Sequence, residues 1–462
     1  MTLQEKNPTR NKIAGVTIAF SGYYYGYSFP IFNSMATPMF CGYFGLDEEE
    51  KDRIQGTLNF LFCFAASFGV LSLGYFNTNF GRIKTAMALD CSIILVAIIF
   101  QFNSIYTIMF ARLLSGYITG MYNMNAAVTL VEMMPTELMG NCNMLLNMLA
   151  GATSLLSFVQ QIILSQEFLA ANWKLMLVWP SFISVLRLAF FYYNFETDTP
   201  VYIFNKFRAD PILRSKLKDS FMMVYSSSGL DEHIDRFIED KSQTELQSSS
   251  FWESNLELFA PKYLPRTIGC LLLKTAEALT GYPFLILFST VFFEKLGMNG
   301  KLISLVLGIF NIIGPLAGML VINRYARKEL MVGGVYLQGA AFFGMWVSVL
   351  MGFVWPVAIS LACYMTCYTA AIGSVNGIYI AEVLPSYAIG VTIGAGWLLW
   401  SFIGKVSVTL AGYLGETNTL LFFGLLCIGF GEILKRYLVD AGPKVELLAK
   451  QEEIERPLIE LK

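Results

Sequence analysis

Lys274 and Glu277 lie three residues apart in an otherwise apolar stretch, the spacing at which two side chains share a helix face and pair. Charge in such a stretch is costly and is kept where it meets a cavity or a partner. The pair would either recognise a charged or zwitterionic solute in a central path or satisfy itself near an interface. Arg112, Arg187 and Lys405 are further cations inside apolar runs. Bond-making chemistry has little to draw on. The one histidine, His233, sits in a polar stretch, so neither a histidine zinc site nor a Ser-His-Asp triad can be assembled within the apolar runs. Eight cysteines are scattered, and the nearest two, Cys363 and Cys367, have helix spacing rather than metal-site spacing; they read as small buried apolar residues. No cofactor and no metal site is expected, and the chain reads as a non-enzyme.

The elements that must position these residues are membrane helices. Of 462 residues 55% are hydrophobic and 14% charged, with a mean hydropathy of +0.55, against about 25% charged in soluble domains. A net charge of -2 gives no basic field for a polyanion, so nucleic acid is not an expected partner; membrane lipids are. A bilayer core needs roughly 20 apolar residues per helix. Twelve spans are predicted near 13–40, 54–76, 84–102, 106–131, 141–165, 174–194, 266–293, 302–323, 330–352, 355–381, 390–413 and 418–438. The first lacks a small-residue cleavage site and is read as a retained helix.

Basic residues alternate from loop to loop, as the positive-inside rule requires. Arg82 and Lys84 follow the second span, Arg324, Arg327 and Lys328 the eighth, and Lys206, Arg208, Arg214, Lys216, Lys218 and Lys262 crowd the middle loop, opposite the acidic Asp47–Glu50. Both termini therefore lie inside. The chain divides into 1–198, a six-span bundle; 199–262, an inside loop with short amphipathic helices; 263–440, a second six-span bundle; and 441–462, a charged tail. The halves repeat: Glu132-x-x-Pro135 with Gly140 closes the fourth span, and Glu382-x-x-Pro385 with Gly390 the tenth. Gly81-Arg82-Ile83-Lys84 after the second span is echoed by Ala326-Arg327-Lys328 after the eighth. Duplicated halves with a site between them are a transporter design. Gly-x3-Gly pairs at 22/26, 116/120, 314/318 and 390/394 allow close helix packing.

With Gly22-Tyr23 and Gly26, the stretch Gly74 to Lys84, Arg112 with Gly116, the two E-x-x-P ends, Trp173-Lys174 and Thr280-Gly281 in this order, the chain resembles the sugar porter family of the major facilitator superfamily. The resemblance implies an all-α fold of twelve helices in two pseudo-symmetric six-helix bundles. It also implies an inside gate in which Arg82, Arg327 and Arg324, with Lys84 nearby, meet Glu132 and Glu382. The family's acid before each basic motif is Thr78 and Asn323 here, and the arginine after each E-x-x-P is Met139 and Ile389.

In the family's proton symporters the fourth-span arginine, here Arg112, faces a first-span acid; the matching position is Tyr24. No carboxylate is left there to couple solute to protons, so facilitated diffusion is expected. Of the sugar-contacting set, Asn147, Asn311 and Trp397 match, while Met148, Glu277 with Ala278, Pro283 and Gly377 replace the family's residues. The expected function is alternating-access transport of a sugar or an altered small polar solute along Tyr24, Arg112, Asn147, Lys274, Glu277, Asn311 and Trp397. The alternative is a transport-inactive accessory subunit bound to other membrane-protein subunits of a larger complex. The membrane is either the plasma membrane or an organelle's, such as the mitochondrial inner membrane.

Overall fold

The computed structural model describes residues 6–245, 260–261, 263–322, 324–384 and 386–440. Lys262, Asn323, Pro385, the side chain of Met139 and the tail 441–462 lie outside the described residues. Within them every regular element is helical.

The first span is not one helix. It runs through Pro8–Ala19, Gly22–Ser28 and Ile31–Ala36 and ends in a wider π-helical turn, Thr37–Tyr43, where a continuous helix over 13–40 was predicted. Pro30 accounts for the central break, since it has no N–H to donate and its ring clashes with the preceding turn. The next five spans are Glu48–Phe80, Arg82–Ile99, Ile105–Met133, Thr136–Ile163 and the pair Gln166–Val178 with Pro180–Asn194. Among the described residues three short helices follow, Pro200–Phe207, Leu213–Phe221 and Leu230–Glu245. They bury Phe204, Leu217, Leu230 and Ile234 against one another.

The second half opens with a broken helix of its own. Leu264–Leu279 and Tyr282–Lys295 meet at Gly281, whose φ of 92° is left-handed, a conformation glycine adopts without a Cβ clash. Gly300–Val321, Arg327–Leu350, Val354–Cys367 continued by Ser374–Val383, Ser386–Leu414 and Glu416–Tyr437 complete it. Nine helices among the described residues are long and apolar enough to cross a membrane. Three spans escape that criterion: the first because it is broken, the third because Arg82, Lys84 and Asp90 fall within its 18 residues, and the fourth because Arg112, Asn123 and Asn125 lower its hydropathy.

Small residues set the helix spacing. A Cβ on Gly22 or Gly26 would strike the backbone carbonyls of Leu146 and Ala150, and one on Gly116 or Gly120 those of Phe62 and Ala66. First and fifth spans, and second and fourth, therefore touch backbone to backbone. The N-terminal half encloses two apolar clusters. The large cluster of the C-terminal half also takes in Phe29, Phe62, Cys63, Met144 and Phe158 from the first half, so the halves pack together around a shared centre.

Candidate functional site

The two broken spans share a device. A helix break deep in a bilayer orphans backbone carbonyls, which must find donors inside the protein. In the first span, the carbonyls of Ser28 and Phe29 accept from the guanidinium of Arg112 on the fourth span. In the seventh, the carbonyl of Thr280 accepts from the hydroxyl of Tyr364 on the tenth, at 2.9 Å. Between the two breaks lies a cavity of ≈ 70 Å³, room for several waters.

Its polar lining comes from the fifth, seventh, eighth and tenth spans, and behind Glu277 lies a network of its own. Lys274 Nζ donates to Glu277 Oε2 and to Asn376 Oδ1, both at 2.8 Å, and Asn376 Nδ2 donates to Glu277 Oε2 at 2.7 Å. The three side chains close a ring of charge-assisted hydrogen bonds. Glu277 Oε1 faces the cavity side, 3.5 Å from the Tyr368 hydroxyl. Asn147 and Asn311 also line the cavity. The aromatic surface comes from Tyr25, Phe29, Trp400 and the stacked pair Tyr282–Tyr368, whose ring centres are 4.0 Å apart.

The predicted path residues therefore separate. Asn147, Glu277 and Asn311 line the cavity, Lys274 stands directly behind Glu277, and Trp397 backs Tyr25 and Trp400 at 5.7 and 5.4 Å between ring centres. Tyr24 and Arg112 sit elsewhere, at a second cavity within the N-terminal half. There Tyr24 Oη is 2.9 Å from Ser115 Oγ. Lys405 is exposed, its amine 5.4 Å from the Phe60 ring centre. Arg187 is buried in a network the sequence reading did not anticipate: Tyr122 donates to Asp90 and accepts from Arg187, whose Nη1 is 3.8 Å from Asp90 Oδ1. Asp90, Asn376, Tyr25 and Tyr368 were not among the predicted site residues. The signal for the first two was visible, one carboxylate and one amide in apolar helices.

On the inner side, Arg82 pairs with Glu132 at 2.8 Å and Arg327 with Glu382 at 3.3 Å. Each pair lies within its own half. Lys84 and Arg324 are exposed. Asp198, after the sixth span, caps the third helix from outside: its carboxylate accepts from the backbone N–H of Arg82 at 2.9 Å and of Ile83 at 3.1 Å. Thr199 Oγ1 donates to Glu132 Oε2 at 2.5 Å. Burial pushes the Asp198 carboxyl above its ordinary value, outweighing the backbone donors that pull it down.

On the outer side the contacts cross between halves. Asn33 Nδ2 donates to Ile286 O and Ser289 Oγ at 3.3 and 3.2 Å, Gln55 Nε2 to Leu287 O at 3.3 Å, and Thr290 Oγ1 to Gln161 Oε1 at 3.4 Å. Lys295 stands 3.8 Å from Asp52. These contacts tie the two halves together on the face opposite the basic loops.

Two helical halves around a polar cavity, joined on one face by contacts between them, define a secondary transporter of the major facilitator fold. The family model of the Sugar (and other) transporter family matches residues 14–436, and the chain belongs to that family. It is 21% identical over 453 residues to the high-affinity hexose transporter HXT6 of Saccharomyces cerevisiae, covering 91% of this chain and 77% of that one. It is 23% identical over 378 residues to hexose transporter 1 of Plasmodium falciparum, covering 73% and 71%. The inward-open xylose transporter XylE from E. coli superposes with a TM-score of 0.74 at 12% identity, over 94% of this chain and 97% of that one. A XylE structure described as a proton:xylose symporter bound to 6-bromo-6-deoxy-D-glucose gives 0.77 at 13%, over 94% and 97%. These relatives are transporters, not enzymes, and nothing in them supports the accessory-subunit alternative. The protein is a multi-pass integral membrane transporter of sugar-porter type.

Proposed function

We propose that the chain carries a small polar solute, a sugar or a close polyol analogue, through the cavity between its halves by facilitated diffusion. One observation carries this reading: Glu277 Oε1, Asn147 and Asn311 converge on a space walled by Tyr25, Tyr282, Tyr368 and Trp400. Carboxylate and amides supply donors and acceptors for hydroxyl groups, and aromatic faces suit the C–H side of a sugar ring. The named relatives transport hexoses, so hexoses are the first solutes to test. The facilitative mode rests on Arg112, whose partners are two backbone carbonyls and Asn59 Oδ1 at 3.5 Å, with Tyr24 where a coupling acid would stand.

The gate belongs to the same proposal. Arg82–Glu132 and Arg327–Glu382 would each hold the inner ends of one half while the halves, 1–198 and 263–440, rock about the cavity, with 199–262 riding on the first. Purified protein in liposomes, loaded with one sugar and offered a labelled one, tests the reading. Counterflow that is unchanged by an imposed pH gradient and lost at least ~10-fold in Glu277→Ala supports it; absence of counterflow for sugars and polyols overturns it. Fluorescence microscopy of a tagged chain decides between the plasma membrane and an organelle's, the mitochondrial inner membrane included. Sizing in mild detergent tests for other subunits.

A further inference from the structure

A cation without a counter-charge is buried in the N-terminal half. Arg112 is 1% exposed. Its Nη atoms go to Ser28 O, Phe29 O and Asn59 Oδ1, and its guanidinium lies 4.8 and 4.0 Å from the ring centres of Phe32 and Phe62. No carboxylate among the described residues forms an ion pair with it, and Nε has no hydrogen-bond partner. Satisfying the broken span's carbonyls does not account for the charge, because a neutral hydroxyl, that of Tyr364, does the equivalent work in the other half. Burying a formal charge without an opposite one is among the costliest arrangements a protein can hold.

Beside this arginine is a second cavity, of ≈ 20 Å³, with Arg112, Tyr24, Ser28 and Ser115 on its polar side and Phe32 and Phe100 among its apolar residues. That volume admits one water-sized occupant. The Tyr24 hydroxyl bonds to those of Ser115 and Ser28; the two contacts use two of the three protons, and the third can donate. The site thus offers a positive charge and an O–H, within apolar walls that strengthen electrostatic attraction. A water would fit the volume and leave the charge uncompensated. A halide would fit and compensate it.

We propose that this cavity is a binding site for a small monovalent anion, chloride under cellular conditions, standing where a carboxylate would otherwise neutralise Arg112. The site is distinct from the central cavity and is independent of whether the chain transports sugars. The test is thermal unfolding of the purified full-length protein against chloride, with gluconate replacing it at constant ionic strength. The unfolding midpoint is expected to rise and saturate, by about 2 °C or more, because a ligand that binds only the folded state stabilises it by mass action. Bromide should act likewise and give an anomalous-scattering peak beside Arg112 in soaked crystals. In Tyr24→Asp, a carboxylate built into the chain should remove the chloride response and raise the chloride-free midpoint. Should that variant not fold, the bromide map on the natural chain still decides. A midpoint indifferent to chloride, or a bromide map without a peak at Arg112, overturns the proposal in favour of a water.

Discussion

Lys274 and Glu277 are one helical turn apart on the seventh span, yet neither is satisfied by the other alone. Asn376 reaches across from the tenth span and bonds both. Removing one charge leaves the other buried and uncompensated, which typically costs about 3–5 kcal/mol. Glu277→Ala should therefore lower the thermal unfolding midpoint as well as abolish uptake. The double variant Lys274→Met with Glu277→Leu separates the two effects: its midpoint should return close to that of the natural chain while uptake stays absent. A double variant as unstable as the single one would refute the assignment of the loss to an orphaned charge. The helical pairing of 274 with 277 was legible in the sequence, since it depends only on local spacing. Asn376 was not, because its partners lie 99 and 102 residues away and local spacing says nothing about which helices face each other. Arg112 was legible as a buried cation, but its grip on the Ser28 and Phe29 carbonyls depended on a break that hydropathy does not register.

At the scale of elements, the first span shows why. Its apolar content is continuous, so it read as one helix, whereas dihedral preference at Pro30 and the packing of Gly22 and Gly26 on the fifth span divide it. The inner loop after the second span carries a similar hidden dependence. Gly81, with φ of 93°, turns the chain so that the first amides of the third helix meet Asp198, 116 residues away. The Asp198 carboxyl is raised by burial, so the folded state binds a proton more readily than the unfolded one. Stability from this group is present below the unfolded carboxylate value, about 3.9, and is lost as pH rises through the higher folded value. The midpoint of Asp198→Asn should fall less over that rise than the midpoint of the natural chain. Equal slopes in the two proteins, measured by thermal unfolding at stepped pH, would contradict the assignment.

At the scale of the whole molecule, the halves meet by polar contacts on the outer face while the inner ion pairs stay within each half. Asn33 and Ser289, 3.2 Å apart across the outer seam, offer a direct probe. A disulfide between Asn33→Cys and Ser289→Cys should hold the outer mouth shut and cut uptake by ~10-fold or more, with recovery on reduction. Full uptake by the oxidised pair would show that this seam does not open during transport. The two-half architecture was readable because E-x-x-P and the basic loops repeat in sequence. The state of the molecule was not, since the same residues must serve both the open and the closed arrangement.

The neutral ring of Lys274, Glu277 and Asn376 has a further consequence. A cavity whose own charges cancel, carrying an uncharged solute, reorients without moving net charge through the electric field of the membrane. A potential of 100 mV is worth about 2.3 kcal/mol for each elementary charge displaced across it, and for this ring that work cancels. The ring then adds nothing to the voltage dependence of the cycle, and any such dependence must come from charges outside it, Arg112 first among them.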